Sequence, residues 1–229
     1  MDSNVLHWVR LKQAEISEIS RLYPIVTLAY AQSIDGCLTL RQGQPTVISG
    51  SESKKFTHQL RALHDGILVG IGTVLADDPK LDVRLVVGES PRPVLVDPEL
   101  KLSLTANVIK STSGLIVFTS EAAPLEKTAA LQALGVEVQV CGDQDGNLNL
   151  KEVLTKLYAF GIKTLMVEGG VKILSSFLVS DLWDLAVITI APRWLGGYGG
   201  VGPPLTDIPL IDVQFEVAGT DILLAGKRL

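Results

Sequence analysis

Short apolar runs rich in β-branched residues recur along this chain, separated by stretches whose apolar residues repeat every three to four positions. The runs are "PIVTLAYA" (24–31), "GILVG" (66–70), "PVLVD" (93–97), "GLIVFTS" (114–120), "VEVQV" (136–140), "TLMVEGG" (164–170) and "LAVITIAP" (185–192). Strands this apolar are covered on both sides, and the intervening amphipathic stretches are the cover. The alternation predicts an α/β fold with a mostly parallel central sheet and helices on both faces. No helix separates the last strands, so the tail "QFEVAGTDILLAGKR" is expected to add antiparallel edges. One of the predicted helices starts at a capping-box spacing, Ser49 to Glu52, and sets Phe56, Leu60 and Leu63 on one face. Another, from Ala123, is stopped by Gly135. Cys37 to Leu40 reads as a short β-excursion in a turn-rich stretch. Residues 1–22 read as an extension carrying a short amphipathic helix packed outside the main domain, and 23–229 as a single domain.

With 229 residues, 47% of them hydrophobic, the chain can fill one large core. Its net charge of −5 argues against nucleic acid or an anionic membrane as partner, so any bound phosphate must meet a local basic spot. The longest apolar run, "GILVGIGTVLA", is too short to span a bilayer. The first residues contain an early acid and no apolar core, which leads to the expectation of a soluble cytoplasmic protein. Cys37 and Cys141 have no metal or redox spacing and are expected to be reduced, buried thiols. No metal cluster is expected.

In open α/β sheets ligands bind beyond the carboxyl ends of the strands, and three loops there are unusual. In "EGG" (168–170), the glycines let a ligand approach the backbone, and the next helix offers free N–H groups to a diphosphate. A tight turn needing glycine for sterics alone would look the same. Glu168 at the strand end favours a ligand, because an acid there needs a hydroxyl or a cation to bind. "GGYGGVGPP" (196–204) resembles a mobile glycine flap, or else a loose surface loop. In "GIGTVLADDPKLDVR" (70–84), Thr73 follows the strand and can face a ligand, and one acid of the Asp77–Asp78 pair is expected to be a turn or cap residue. Arg61 and Arg84 are candidate phosphate anchors, through bidentate geometry. His58 and His64 lack an acid or cysteine partner at ligand spacing and read as structural or rim residues. Leucine at position 75 breaks the GxGxxG dinucleotide fingerprint, and there is no GxSxG elbow or Walker lysine. What remains suits a nucleotide together with a phosphorylated small molecule.

"VTLAYAQSIDG", "ISGSESKKFTHQLRALHDGILVGIGTVLADDPKLDVR" and "LMVEGG", in this order, resemble the pyrimidine reductase of riboflavin biosynthesis, closest to the stand-alone fungal and archaeal type. The resemblance covers residues 24 to about 202. It implies a dihydrofolate-reductase-like fold, NADPH as cofactor, and reduction of a ribosylamino-pyrimidine 5′-phosphate to its ribitylamino product. It places Thr73, Asp77, Gly169, Gly170, Val171, Lys172, Ile173 and Leu174 on NADPH, with Gln32 and Val47 along the cofactor. Ser49, Arg61, Leu81 and Arg84 would hold the substrate and its phosphate. Glu168 would meet the sugar and is the candidate catalytic residue. Bacterial members carry lysine at the position of Ala29 and often tryptophan at that of Val47. The family is typically dimeric, which implies a homodimer through the C-terminal β-region. The likeness to dihydrofolate reductases also implies a cis peptide between Gly169 and Gly170. Two alternatives remain open: a reductase of the same fold acting on a pterin, and a nucleotide-binding protein without turnover.

Overall fold

A computed structural model describes residues 3–144, 147–202 and 207–229. The chain begins with α1 (Asn4–Ser17), β1 (Ile25–Ser33), β2 (Cys37–Thr39), α2 (Ser51–Arg61), β3 (Gly66–Gly70) and α3 (Ile71–Asp77). It continues through β4 (Arg92–Val96), β5 (Ile116–Thr119), α4 (Leu125–Ala133), β6 (Glu137–Val140) and a small hairpin, β7 (Asp143–Gln144) and β8 (Asn147–Leu148). Then come α5 (Leu150–Ala159), β9 (Thr164–Glu168), α6 (Val171–Val179), β10 (Leu185–Ala191), β11 (Tyr198–Gly199), β12 (Leu210–Ala218) and β13 (Asp221–Arg228).

One nine-stranded sheet runs in the order β12-β13-β10-β1-β9-β3-β4-β5-β6. The strands from β10 to β6 are parallel, and β13 and β12 extend the sheet antiparallel, as the helix-free tail predicted. β9 enters late and sits between β1 and β3, so the loop after it opens at the centre of the sheet's carboxyl edge.

Each face of the sheet has its own core. On one, Leu28, Leu68 and Phe118 pack with Val153, Leu154 and Leu157 of α5 and Leu174 and Phe177 of α6. On the other, Ile67, Val69 and Leu95 meet Val74 of α3 and Leu131 of α4. On that same side Ala29, Met166 and Val187 meet Phe56 and Leu60 of α2. Helix α1 is part of this layer: Val5, Leu6, Trp8 and Val9 are buried, and its cap Ser3 donates to Glu216 of β12 at 2.6 Å. The expectation of a helix outside the domain is corrected, because four buried apolar side chains on one turn-periodic face need the sheet as cover.

Helix α2 also starts differently from its capping-box signal. Gly50 is the N-cap and Ser49 makes no cap. The buried Asp221, brought in from β13, accepts from the Gly50 amide and the Ser53 hydroxyl, both at 2.7 Å. A carboxylate at a helix N-terminus satisfies orphan amides and complements the dipole, so a local cap is redundant. The "GIGT" segment, read as a loop, is the short helix α3. The stop at Gly135 holds, at a φ of 80°. No helix among the described residues is long and apolar enough to cross a membrane.

Candidate active site

A cleft of about 1370 Å³ opens at the carboxyl ends of the central strands, lined by Ala29 of β1, Glu168 of β9, Gly70 of β3 and Val96 of β4. Of the candidate residues, Val47, Ser49, Arg61, Thr73, Asp77, Leu81, Arg84, Glu168, Gly169, Gly170, Val171, Lys172 and Ile173 lie on its wall. Two do not. Leu174 points into the core with no exposed surface, because it lies on the sheet-facing side of α6 with Phe177 while its neighbours Ile173 and Ser175 line the cleft. Gln32 lies in β1 opposite Ile190, beyond the end of the wall.

At the centre, Arg61 and Glu168 form a bidentate pair, with Nε to Oε2 at 2.9 Å and Nη2 to Oε1 at 2.7 Å. Arg61 Nη1 also donates to the Asp82 carbonyl at 3.0 Å. Three of the guanidinium's five N–H groups are thereby engaged. The pair locks the end of α2 to the end of β9 and to the 78–84 loop. That loop has two non-glycine residues at positive φ, Asp78 at 39° and Leu81 at 55°, a conformation that only surrounding contacts sustain. Asp78 supplies one such contact, accepting from the amide and side chain of Asn107 at 2.8 and 2.7 Å. It is the structural acid of the Asp77–Asp78 pair. Asp77 faces the cleft, and partial burial, reinforced by the charge of Glu168, raises its carboxyl pKa. His58 Nδ1 accepts the Arg84 amide at 3.2 Å, and burial, with the charges of Arg61 and Arg84, pushes its pKa down. Arg84 itself is half exposed and, among the described residues, pairs only with Asp82 of its own loop. His64 is structural: its Nδ1 donates to Leu60 O at 2.8 Å and its Nε2 accepts from Thr27 Oγ1 at 2.9 Å.

Beside this polar centre, Gly169 and Gly170 lead into α6. The peptide between them is trans, which corrects the cis expectation. In this geometry the Gly170 amide donates to Thr73 Oγ1 at 3.1 Å, joining the two loops, and the ordinary trans bond is retained. Gly170 is the N-cap of α6 and no side chain caps it, so the first-turn amides look into the cleft. A Cβ on Gly169 would come within 3.1 Å of Ile173 Cγ2 and 3.2 Å of Thr73 Oγ1, whereas one on Gly170 has ordinary room.

The third wall was legible in the sequence only at Val47 and Ser49. Residues 42–49 line the cleft, and Thr39 holds their loop through bonds to Gln44 O at 2.6 Å and Thr46 Oγ1 at 2.9 Å. The glycine-rich segment does not stand free in its described part: β11 pairs with β2, Tyr198 opposite Thr39 and Gly199 opposite Cys37. Gly197 and Gly199 are there for contact, since a Cβ on either would lie 2.3 Å from a β2-side carbonyl. Pro203 and Pro204 lie outside the described residues. Cys37 and Cys141 are both free and buried, as expected.

The RibD C-terminal domain family model matches residues 24–224. The 2,5-diamino-6-ribosylamino-4(3H)-pyrimidinone 5′-phosphate reductase of Debaryomyces hansenii is 37% identical over 226 residues, covering 89% of each chain. The structure of the Saccharomyces cerevisiae riboflavin biosynthesis reductase Rib7 superposes with a TM-score of 0.79 at 31% identity, covering 99% of this chain and 100% of that one. Dihydrofolate reductase from Enterococcus faecalis, solved with NADP(H), shares the fold at a TM-score of 0.52 and 12% identity, covering 90% of this chain and 98% of that one.

Proposed function

Since the chain belongs to the RibD C-terminal domain family, we propose that it is the oxidoreductase of riboflavin biosynthesis that converts a ribosylamino-pyrimidine 5′-phosphate into the ribitylamino compound, with NADPH as reductant. The substrate assigned is the 2,5-diamino compound acted on by the Debaryomyces relative. The observation that carries the reading is one cleft holding two different anion-suited sites, the uncapped end of α6 and the Arg61–Arg84 side, with Glu168 between them.

The α6 end fits a nicotinamide dinucleotide. Gly169 and Gly170 leave the backbone bare, the free amides suit a diphosphate, and the exposed Lys172 adds positive charge in the first turn. When bound, the cofactor supplies a hydride to the sugar C1′. In the substrate, the C1′–O4′ bond breaks, O4′ gains a proton, and the exocyclic nitrogen loses one to give the C1′=N imine. The hydride adds at C1′ and the nitrogen takes a proton, giving the ribityl amine. The chain's own part is positional: Glu168, fixed by Arg61, meets the sugar hydroxyls, and Thr73 and Asp77 face the hydride donor. Arg84 and the two remaining N–H groups of Arg61 take the phosphate, with Ser49 and Leu81 beside it. The reductase unit comprises residues 23–229 together with α1, whose apolar face shares their core. Two free, buried thiols suit a reducing compartment, and we assign the enzyme to the cytoplasm. A homodimer is assigned from the uncovered apolar face of β12 and β13, where Phe215 and Val217 are 77% and 73% exposed.

The test is spectrophotometric. Oxidation of NADPH is followed with the phosphorylated pyrimidine, its dephospho analogue and dihydropterin in parallel, and with NADH in place of NADPH. Turnover is expected with the first substrate and NADPH. Preferred turnover of the pterin would overturn the substrate assignment, and tight NADPH binding with no turnover would leave a nucleotide-binding protein.

A further inference from the structure

Asp35 lies outside the cleft, on the turn between β1 and β2. It gathers an unusual set of donors for an exposed carboxylate. Oδ2 accepts the Gly196 amide at 2.7 Å and faces Cys37 Sγ at 3.5 Å. Oδ1 accepts the Leu195 amide at 3.1 Å and the Ser33 hydroxyl. These bonds, the Ser33 hydroxyl foremost, hold its carboxyl well below the usual carboxylate range. The amides come from a segment 160 residues later in the chain, so the contact is a clasp across the fold. What it clasps reaches the cleft by two routes. The segment continues into β11, which lies on β2 beside Thr39, the anchor of the 42–49 wall. On its other side, Arg193 donates to the Val47 carbonyl of that wall at 3.1 Å.

We propose that Asp35 is a positioning residue for the NADPH-facing wall: by fixing the 193–199 strap it sets where Val47 and Tyr198 stand in the cleft. The proposal rests on the functional reading only in naming NADPH as what the wall faces. The clasp has no other carboxylate among the described residues, and Asp35 touches no reacting group. Its loss loosens a wall and leaves the Glu168 centre intact.

The test compares wild type with Asp35→Asn and Asp35→Ala. Backbone hydrogen exchange is measured without ligand, NADPH affinity by fluorescence titration, melting temperature on the same samples, and KM and kcat in the reductase assay. For Asp35→Ala, faster exchange is expected both in 193–200 and in 38–48. NADPH affinity should fall at least tenfold and KM for NADPH rise to match, while kcat at saturation stays within threefold. Asp35→Asn, which keeps one acceptor oxygen, should fall between. Faster exchange confined to 193–200 overturns the proposal, as does unchanged NADPH affinity in a folded variant. Should wild type bind no NADPH while the two segments still loosen together, the functional reading fails and the clasp stands.

Discussion

Arg61 and Arg84 share a cleft and differ in what their loss removes. Arg84 is half exposed, so Arg84→Ala deletes one charge-assisted contact and is expected to raise the substrate KM ten- to hundredfold, about 1.5–3 kcal/mol, with kcat and NADPH affinity kept. Arg61→Ala also strips the partner from Glu168. It should lower kcat as well and cost about 3 kcal/mol of stability, the low end for a buried pair because Glu168 keeps some exposure. Steady-state kinetics on both variants separate the two cases, and equal loss of NADPH binding would sink the assignment. His64 yields a pH prediction. Burial pushes its pKa from 6.5 down to about 4, so the unfolded chain binds the proton first. Its contribution to stability is complete above pH 6.5 and is lost as pH falls toward 4, about 3 kcal/mol in all. Urea unfolding between pH 7 and 4 should show this loss, and His64→Gln should lack that component. The glycines, Thr73 and Glu168 were legible in the sequence because strand ends and backbone freedom leave local patterns. The Arg61–Glu168 pair was not, since it joins residues 107 apart whose separate neighbourhoods look ordinary.

Among the elements, α6 carries the sharpest test. Gly170 has φ −78° and room for a Cβ, so Gly170→Ala should fold normally. The added methyl sits at the mouth of the uncapped helix end, and NADPH affinity is expected to fall at least tenfold, about 1.4 kcal/mol. Melting temperature and NADPH titration on one preparation decide it: a lowered melting point with normal affinity would reduce the glycine to a turn residue. The same element level shows where sequence patterns fail. The parallel strands were legible because burial on both faces leaves an unbroken apolar run. Helix α3 was not, because seven residues are too few to show a helical period and the glycines at its start read as a loop. β11 was hidden more thoroughly, since a two-residue strand made possible by missing side chains carries no apolar signal at all. The cap of α2 was misread for a related reason, a carboxylate arriving from the far end of the chain.

At the scale of the whole molecule, the sheet ends unevenly. β12 is an edge strand, and on the side away from α1 it presents Phe215 and Val217, paired with Leu224 and Ile222 of β13. A second copy of the chain laid on this face buries them. Phe215→Asp with Val217→Lys is expected to yield a folded monomer, read by light scattering with circular dichroism as the control. A wild-type monomer at working concentration would remove the basis of the homodimer. The placement of β9 bears on how the chain comes to be folded at all. β1 finds both neighbours, β9 and β10, only among residues 164 to 191, and its first residue is Ile25. A ribosome must therefore add more than a hundred residues while an apolar strand waits with both edges bare. Contacts of such long sequence separation slow folding and prolong exposure to aggregation. Any truncation that ends before Thr164 leaves β1 and β3 each facing a missing strand, so the protein has no shorter N-terminal version that keeps its floor.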